Sequence, residues 1–215
     1  MALLLLGTSL PVASRYADHA PQRQAAPARL PVRRMAPLVA SMAALGAIFG
    51  CIQAASTAHA TSNSGFLYAC LGVGSALSGI AYAWLPSSFR VDVRYLVFSV
   101  TLVLGMAVLL PLSPWPPLGI LVAGFAIAPY MITLYTLTDL LAPPDRLPVA
   151  MAAVGAGGPV GTAIGQAVTG VLIDGPGLGT AWLAPAGCAC LALVVALVNR
   201  QSIRGGLPGA ESGRR

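Results

Sequence analysis

Lysine is absent from this chain of 215 residues, and acidic side chains number only six. Charged residues make up 8% of the sequence, against about 25% in an average soluble domain. So little charge cannot cover the surface of an ordinary soluble fold. A nucleic-acid interface is excluded as well. The net charge of +6 comes from arginines dispersed over four segments rather than gathered into one basic patch. The four cysteines, Cys51, Cys70, Cys188 and Cys190, lie inside apolar stretches without metal-ligand spacing. Cys188 and Cys190 would point to different sides of a helix. No metal or cofactor is expected, and the thiols read as small packing residues. Also missing is any Asp, Glu, Arg or His near the middle of an apolar stretch, so an intramembrane proton-carrying carboxylate is excluded.

What is present is length. Six apolar runs cover Met35–Ala58, Phe66–Leu85, Tyr95–Leu112, Pro117–Leu141, Pro148–Ile173 and Ala181–Val198. At about 1.5 Å per residue each can cross a hydrocarbon layer of roughly 30 Å. Backbone groups in lipid must be satisfied internally, so the runs predict helices rather than a barrel. The basic residues, all arginines, occupy alternate gaps. Arg15, Arg23, Arg29, Arg33 and Arg34 precede the first run, and Arg90 and Arg94 separate the second from the third. Arg146 separates the fourth from the fifth, and Arg200, Arg204, Arg214 and Arg215 follow the sixth. Positive charge resists translocation, which predicts six transmembrane helices with both termini cytoplasmic.

Outside the runs, residues 1–13 are apolar but too short to span, with no basic residue before them. They are expected to be the remnant of a preceding transmembrane helix. Residues 14–34, rich in Ala, Pro, Arg and Gln, read as a cytoplasmic linker. Residues 35–200 form the six-helix membrane domain, and 201–215 a disordered cytoplasmic tail.

The runs differ in character. The third and sixth are mostly Leu, Val and Ala, suited to facing lipid, whereas the first, second, fourth and fifth carry the polar groups expected of an interior or a cavity. On the fifth, Ala153, Gly157, Gly161, Gly165 and Thr169 recur every four residues and leave one helix face nearly without side chains. Small residues so spaced let a second helix approach closely. Pro159 removes a backbone hydrogen bond in the same region and predicts a bend. The second run repeats the theme with Gly72, Gly74, Ser75, Ser78 and Gly79. These runs take equivalent places in two sets of three, and interrupted helices at matching places mark the binding region of many transporters. Both ridges are expected to be open to a partner.

With six spans, cytoplasmic ends and a basic leading segment, the chain resembles the carboxy-terminal half of a major facilitator superfamily transporter over essentially its whole length. Ala128-Pro129, Tyr135-x-Leu137-x-Asp139-x-Leu141 and Ala142-Pro143-Pro144 look like the tenth helix and following loop of bacterial drug- or sugar-efflux members. Gly158-Pro159-x-Gly161 is similar to the antiporter Gly-Pro motif, here on the symmetry-related eleventh helix. Arg90-x-x-x-Arg94 stands where the family carries Gly-x-x-x-Asp-Arg-x-Gly, and that full pattern is lacking.

The resemblance implies two three-helix repeats in a bacterial plasma membrane, and a central cavity. Cavity candidates are Gln53, Tyr130, Thr133, Thr162 and Gln166, each equally able to form a bond between helices. Arg90, Arg94, Asp139 and Arg146 are the cytoplasmic charge candidates. Asp139, unfavourable at a helix C-terminus, would be either paired with one of these arginines or solvated. The expected partners are the lipid bilayer, a small-molecule substrate, and an amino-terminal half, a second half-transporter or another copy of the chain. The expected function is alternating-access transport of a small organic solute, in the efflux direction. A non-transporting fragment, a pseudogene product and a six-helix channel are the alternatives. An intramembrane protease is excluded, since Ser75 lacks a Gly-x-Ser-Gly setting and His59 sits at the edge of its run.

Overall fold

The computed structural model describes residues 32–59, 63–84, 90–110 and 115–204, with side chains to residue 200. Among these residues it is all-helical. The long helices are α1 (Val32–His59), α2 (Ser64–Ala83), α3 (Val91–Ala107), α4 (Pro116–Leu141) and α5 (Leu147–Asp174). A short α6 (Leu178–Ala181) precedes α7 (Ala184–Arg204), and a 3-10 turn at Pro144–Arg146 leads into α5. Residues 1–31 and 205–215, expected as helix remnant, linker and tail, lie outside the described residues. Val32–Arg34, expected in the linker, already form the first turn of α1, and residues 201–204, expected in the tail, end α7.

Five segments are long and apolar enough to cross a membrane: α1, α2, α4, α5 with its leading turn, and α6–α7 up to Arg200. The third expected span is shorter and earlier than Tyr95–Leu112. Its helix has 17 residues and gives way to turns at Val108–Leu110. That is still about 26 Å of helix. Prolines set several boundaries, because a ring that lacks N–H costs nothing in a first turn. Pro116 and Pro117 start α4, and Pro148 starts α5. Gly177, at φ +101°, makes the turn between α5 and α6. A Cβ would be strained there.

The centre of the bundle is α1 and α4. Their most apolar stretches are 72% and 61% buried, against 22% for α2 and α5. The most extensive pairings are α1 with α5 and α2 with α4, followed by α1–α7, α3–α4 and α3–α7. Contacts fix the relative directions. Val39, Ala43 and Ala47 of α1 meet Gly157, Gly161 and Gly165 of α5 in the same order, so these helices run parallel. Leu71 and Gly79 of α2 meet Gly124 and Ala128 of α4, also in parallel. Tyr95 stacks on Tyr130 and Gly105 meets Ala123 and Ala126, so α3 and α4 are antiparallel. His59 packs edge-on against Trp182, while Cys51 lies beside Cys188, so α1 and α7 are antiparallel too. With these directions Arg33, Arg34, Arg90, Arg94, Arg146 and Arg200 all belong to helix ends at one end of the bundle.

The glycine ridge of α5 is filled rather than open. Gly157, Gly161, Gly165 and Thr169 are buried, and a Cβ on Gly161 would fall inside the Ala43 carbonyl. Gly46 and Gly50 of α1 return the approach, against Gly158 and Thr162. The α2 ridge is occupied in part, Gly74 lying against Leu121 and Gly124 while Gly72 is exposed with nothing near its Cβ position. Each ridge serves one neighbour inside the chain, and the rest of α2 and α5 is left exposed. Hence α2 and α5, expected in the interior, are at least as exposed as α7.

Candidate functional site

A groove of about 480 Å³ runs between α1, α4 and α5. Met42, Leu45, Gly46 and Phe49 form its α1 wall, and Met131 and Tyr135 come from α4. On the α5 side it is lined by Gly155, Gly158, Pro159, Thr162, Ala163 and Gln166. Its volume is in the range of small-molecule sites. No charged side chain lines it.

Two of the five cavity candidates, Thr162 and Gln166, line the groove, and a third, Gln53, is bonded to Gln166. Gln166 Nε2 donates to Gln53 Oε1 at 2.9 Å, joining the exposed faces of α5 and α1 at one end of the groove. Thr162 Oγ1 lies 3.1 Å from the Gly46 carbonyl and 3.0 Å from its own helix at Gly158, so it can bridge α5 to α1. That bridge is possible because Gly46 holds the two backbones together.

The other two candidates are placed away from the groove. Tyr130 and Thr133 are both fully buried. Thr133 Oγ1 donates to the Pro129 carbonyl at 2.8 Å, and Tyr130 stacks on Tyr95 with ring centroids 6.0 Å apart. Tyr130 thus faces the packed side of α4 with α3. Five residues rotate a helix by about 140°, and it is Tyr135 that turns its ring to the groove. Beside this stack Ser41 Oγ and the Tyr95 hydroxyl are 2.6 Å apart, a buried polar link between α1 and α3. The Tyr130 hydroxyl has no hydrogen-bond partner among the described residues.

The charge candidates separate similarly. Asp139 is exposed and makes no ion pair among the described residues. The arginine-held carboxylate is instead Asp92, 2% exposed, which accepts from Arg90 Nε at 3.1 Å. It sits in the first turn of α3, where a negative charge suits the helix dipole. The Arg90-x-Asp92 spacing at a helix start was the available signal for it. Arg94 Nη1 donates to the Tyr82 hydroxyl at 3.3 Å, with its guanidinium 5.8 Å from that ring's centroid. Arg146 ends the 3-10 turn, immediately before α5, and is half-buried.

The groove therefore offers an apolar wall, two paired amides, one bridging hydroxyl and one phenol. It can orient a neutral, partly apolar molecule by hydrogen bonds but cannot neutralise a charged one. In comparisons with protein-family models, curated proteins and solved structures, nothing matches this chain.

Proposed function

We propose that this chain is a six-helix half of a secondary active transporter resembling the major facilitator superfamily, exporting a small uncharged organic solute by alternating access. The observation that carries the reading is the groove between α1, α4 and α5, with neutral polar groups set in an apolar wall. Helix pairing supports it. Exchange the first three long helices for the last three in order, and α1–α5 becomes α4–α2 while α1–α7 becomes α4–α3. The α3–α7 pairing maps onto itself, so every major pairing has a counterpart. Such an exchange is what two three-helix repeats produce. Arginines gathered at one end of the bundle support a plasma-membrane arrangement with that end, and both termini, in the cytoplasm. The groove is open along one side, and a second six-helix unit, as a separate half or another copy, would complete the enclosure.

Solute exchange across proteoliposomes tests this. Vesicles carrying the chain should show saturable counterflow of an uncharged amphiphilic solute, weakened several-fold by Gln166→Ala at unchanged protein level. Linear, non-saturating flux would make the protein a channel. No exchange by well-folded protein, tested alone and with a second half, would leave it a non-transporting membrane protein.

A further inference from the structure

The groove has polar groups at both ends and, between them, hydrocarbon apart from the Thr162 hydroxyl, which is engaged with backbone carbonyls. At one end the Gln53–Gln166 bond uses one acceptor and one donor hydrogen. That leaves an amide NH2 and an amide oxygen for a ligand, whichever way the pair is turned. At the other end Tyr135 reaches across to Gly155, whose Cβ, if present, would lie 3.7 Å from the phenolic oxygen. That hydroxyl engages no hydrogen bond among the described residues. Beside it the Gly155 carbonyl has lost its helical donor, because Pro159, four residues on, has no N–H. A carbonyl without its usual helical donor favours any neutral donor brought to it. Each end therefore holds one donor and one acceptor.

Gly155 and Gln166 are three helical turns apart, about 16 Å along α5. The wall between them is Leu45, Phe49, Met131, Pro159 and Ala163. Nothing along it could balance a charge, and an unpaired charge in such surroundings is costly.

We infer that the groove takes an elongated uncharged solute, with an apolar body and a neutral hydrogen-bonding group at each end. This rests on the groove being the solute site, and the test separates the two claims. The full chain in lipid nanodiscs is photolabelled with 1,12-dodecanediol bearing a mid-chain diazirine, and the label is mapped by mass spectrometry. Label is expected around Phe49, Met131 and Ala163. Unlabelled 1,12-dodecanediol should suppress it about fivefold better than 1-dodecanol, the worth of one extra neutral hydrogen bond. The dication 1,12-diaminododecane should not suppress it. Tyr135→Phe, which removes one oxygen and keeps the ring, should narrow the diol's advantage over the alcohol, the Gly155 carbonyl remaining as an acceptor. Gln166→Leu at the opposite end should do the same, and carries the test if the first variant folds poorly. Equal competition by diol and alcohol, or suppression by the dication, overturns the two-ended solute while leaving the groove a site. Absence of protectable label in the groove overturns both.

Discussion

At Gly161 a single added methyl group has nowhere to go, since the Ala43 carbonyl occupies the place. Nine residues further along the same helix, at Gly170, a Cβ would meet nothing within 4 Å. Gly161→Ala should therefore cost about 1–3 kcal/mol of stability by overpacking. Gly170→Ala should be neutral or slightly stabilising, because alanine favours the helix by about 1 kcal/mol. Thermal unfolding of the two variants in detergent checks the contrast, and equal midpoints would refute the packing argument. Polar links weigh less. Hydrogen bonds between membrane helices average about 0.6 kcal/mol, so Ser41→Ala, which breaks the 2.6 Å contact with Tyr95, should shift the midpoint less than Gly161→Ala does. Backbone approach, more than side-chain hydrogen bonding, holds α1 to α5. In lipid this follows from the lack of any hydrophobic drive between helices, which leaves dispersion contacts to decide.

At the scale of the helix, Pro159 has a role opposite to that of the glycines around it. It is exposed on the groove side while Gly157 and Gly161 are buried against α1. Pro159→Ala restores the N–H to the Gly155 carbonyl, so the helix should gain stability while groove labelling weakens several-fold. Amide exchange at position 159 and photolabelling read these two effects separately. How much of this was legible beforehand follows from what a pattern encodes. Apolar length announced the helices, and glycines every four residues announced a close face on α5. A period identifies a face but not the neighbour that fills it, so the ridge expected to await a partner is satisfied by α1. For the same reason the expected cavity held Tyr130 and not Tyr135: both are tyrosines on one helix, and only the position of α3 decides which turns inward. That Gln166 meets Gln53 and Thr162 meets Gly46 depends on how α1 and α5 pack, which no spacing along the chain encodes. Asp92 was missed because it lies at a helix start, where a carboxylate attracts no notice.

For the whole molecule the distribution of arginines makes a prediction independent of any solute. Single cysteines at Asn63 and Gly177, in a background without the four native thiols, should react with an impermeant reagent applied to intact cells. A cysteine at Asp145, next to Arg146, should react only after the membrane is opened. Labelling of Asp145→Cys from outside would reverse the orientation, since helix directions place it at the arginine end. The pairing of α1 with α5 also has a bearing on how the protein is made. These two helices interlock most extensively, yet α2, α3 and α4 emerge from the ribosome between them. The α2–α4 contact can close while synthesis is still in progress, but α1 must wait, its small-residue face unmatched, until the last third of the chain arrives. Maturation therefore has a late, long-range step, and a nascent chain stalled after α4 is the stage at which quality-control proteases would find the most to cut.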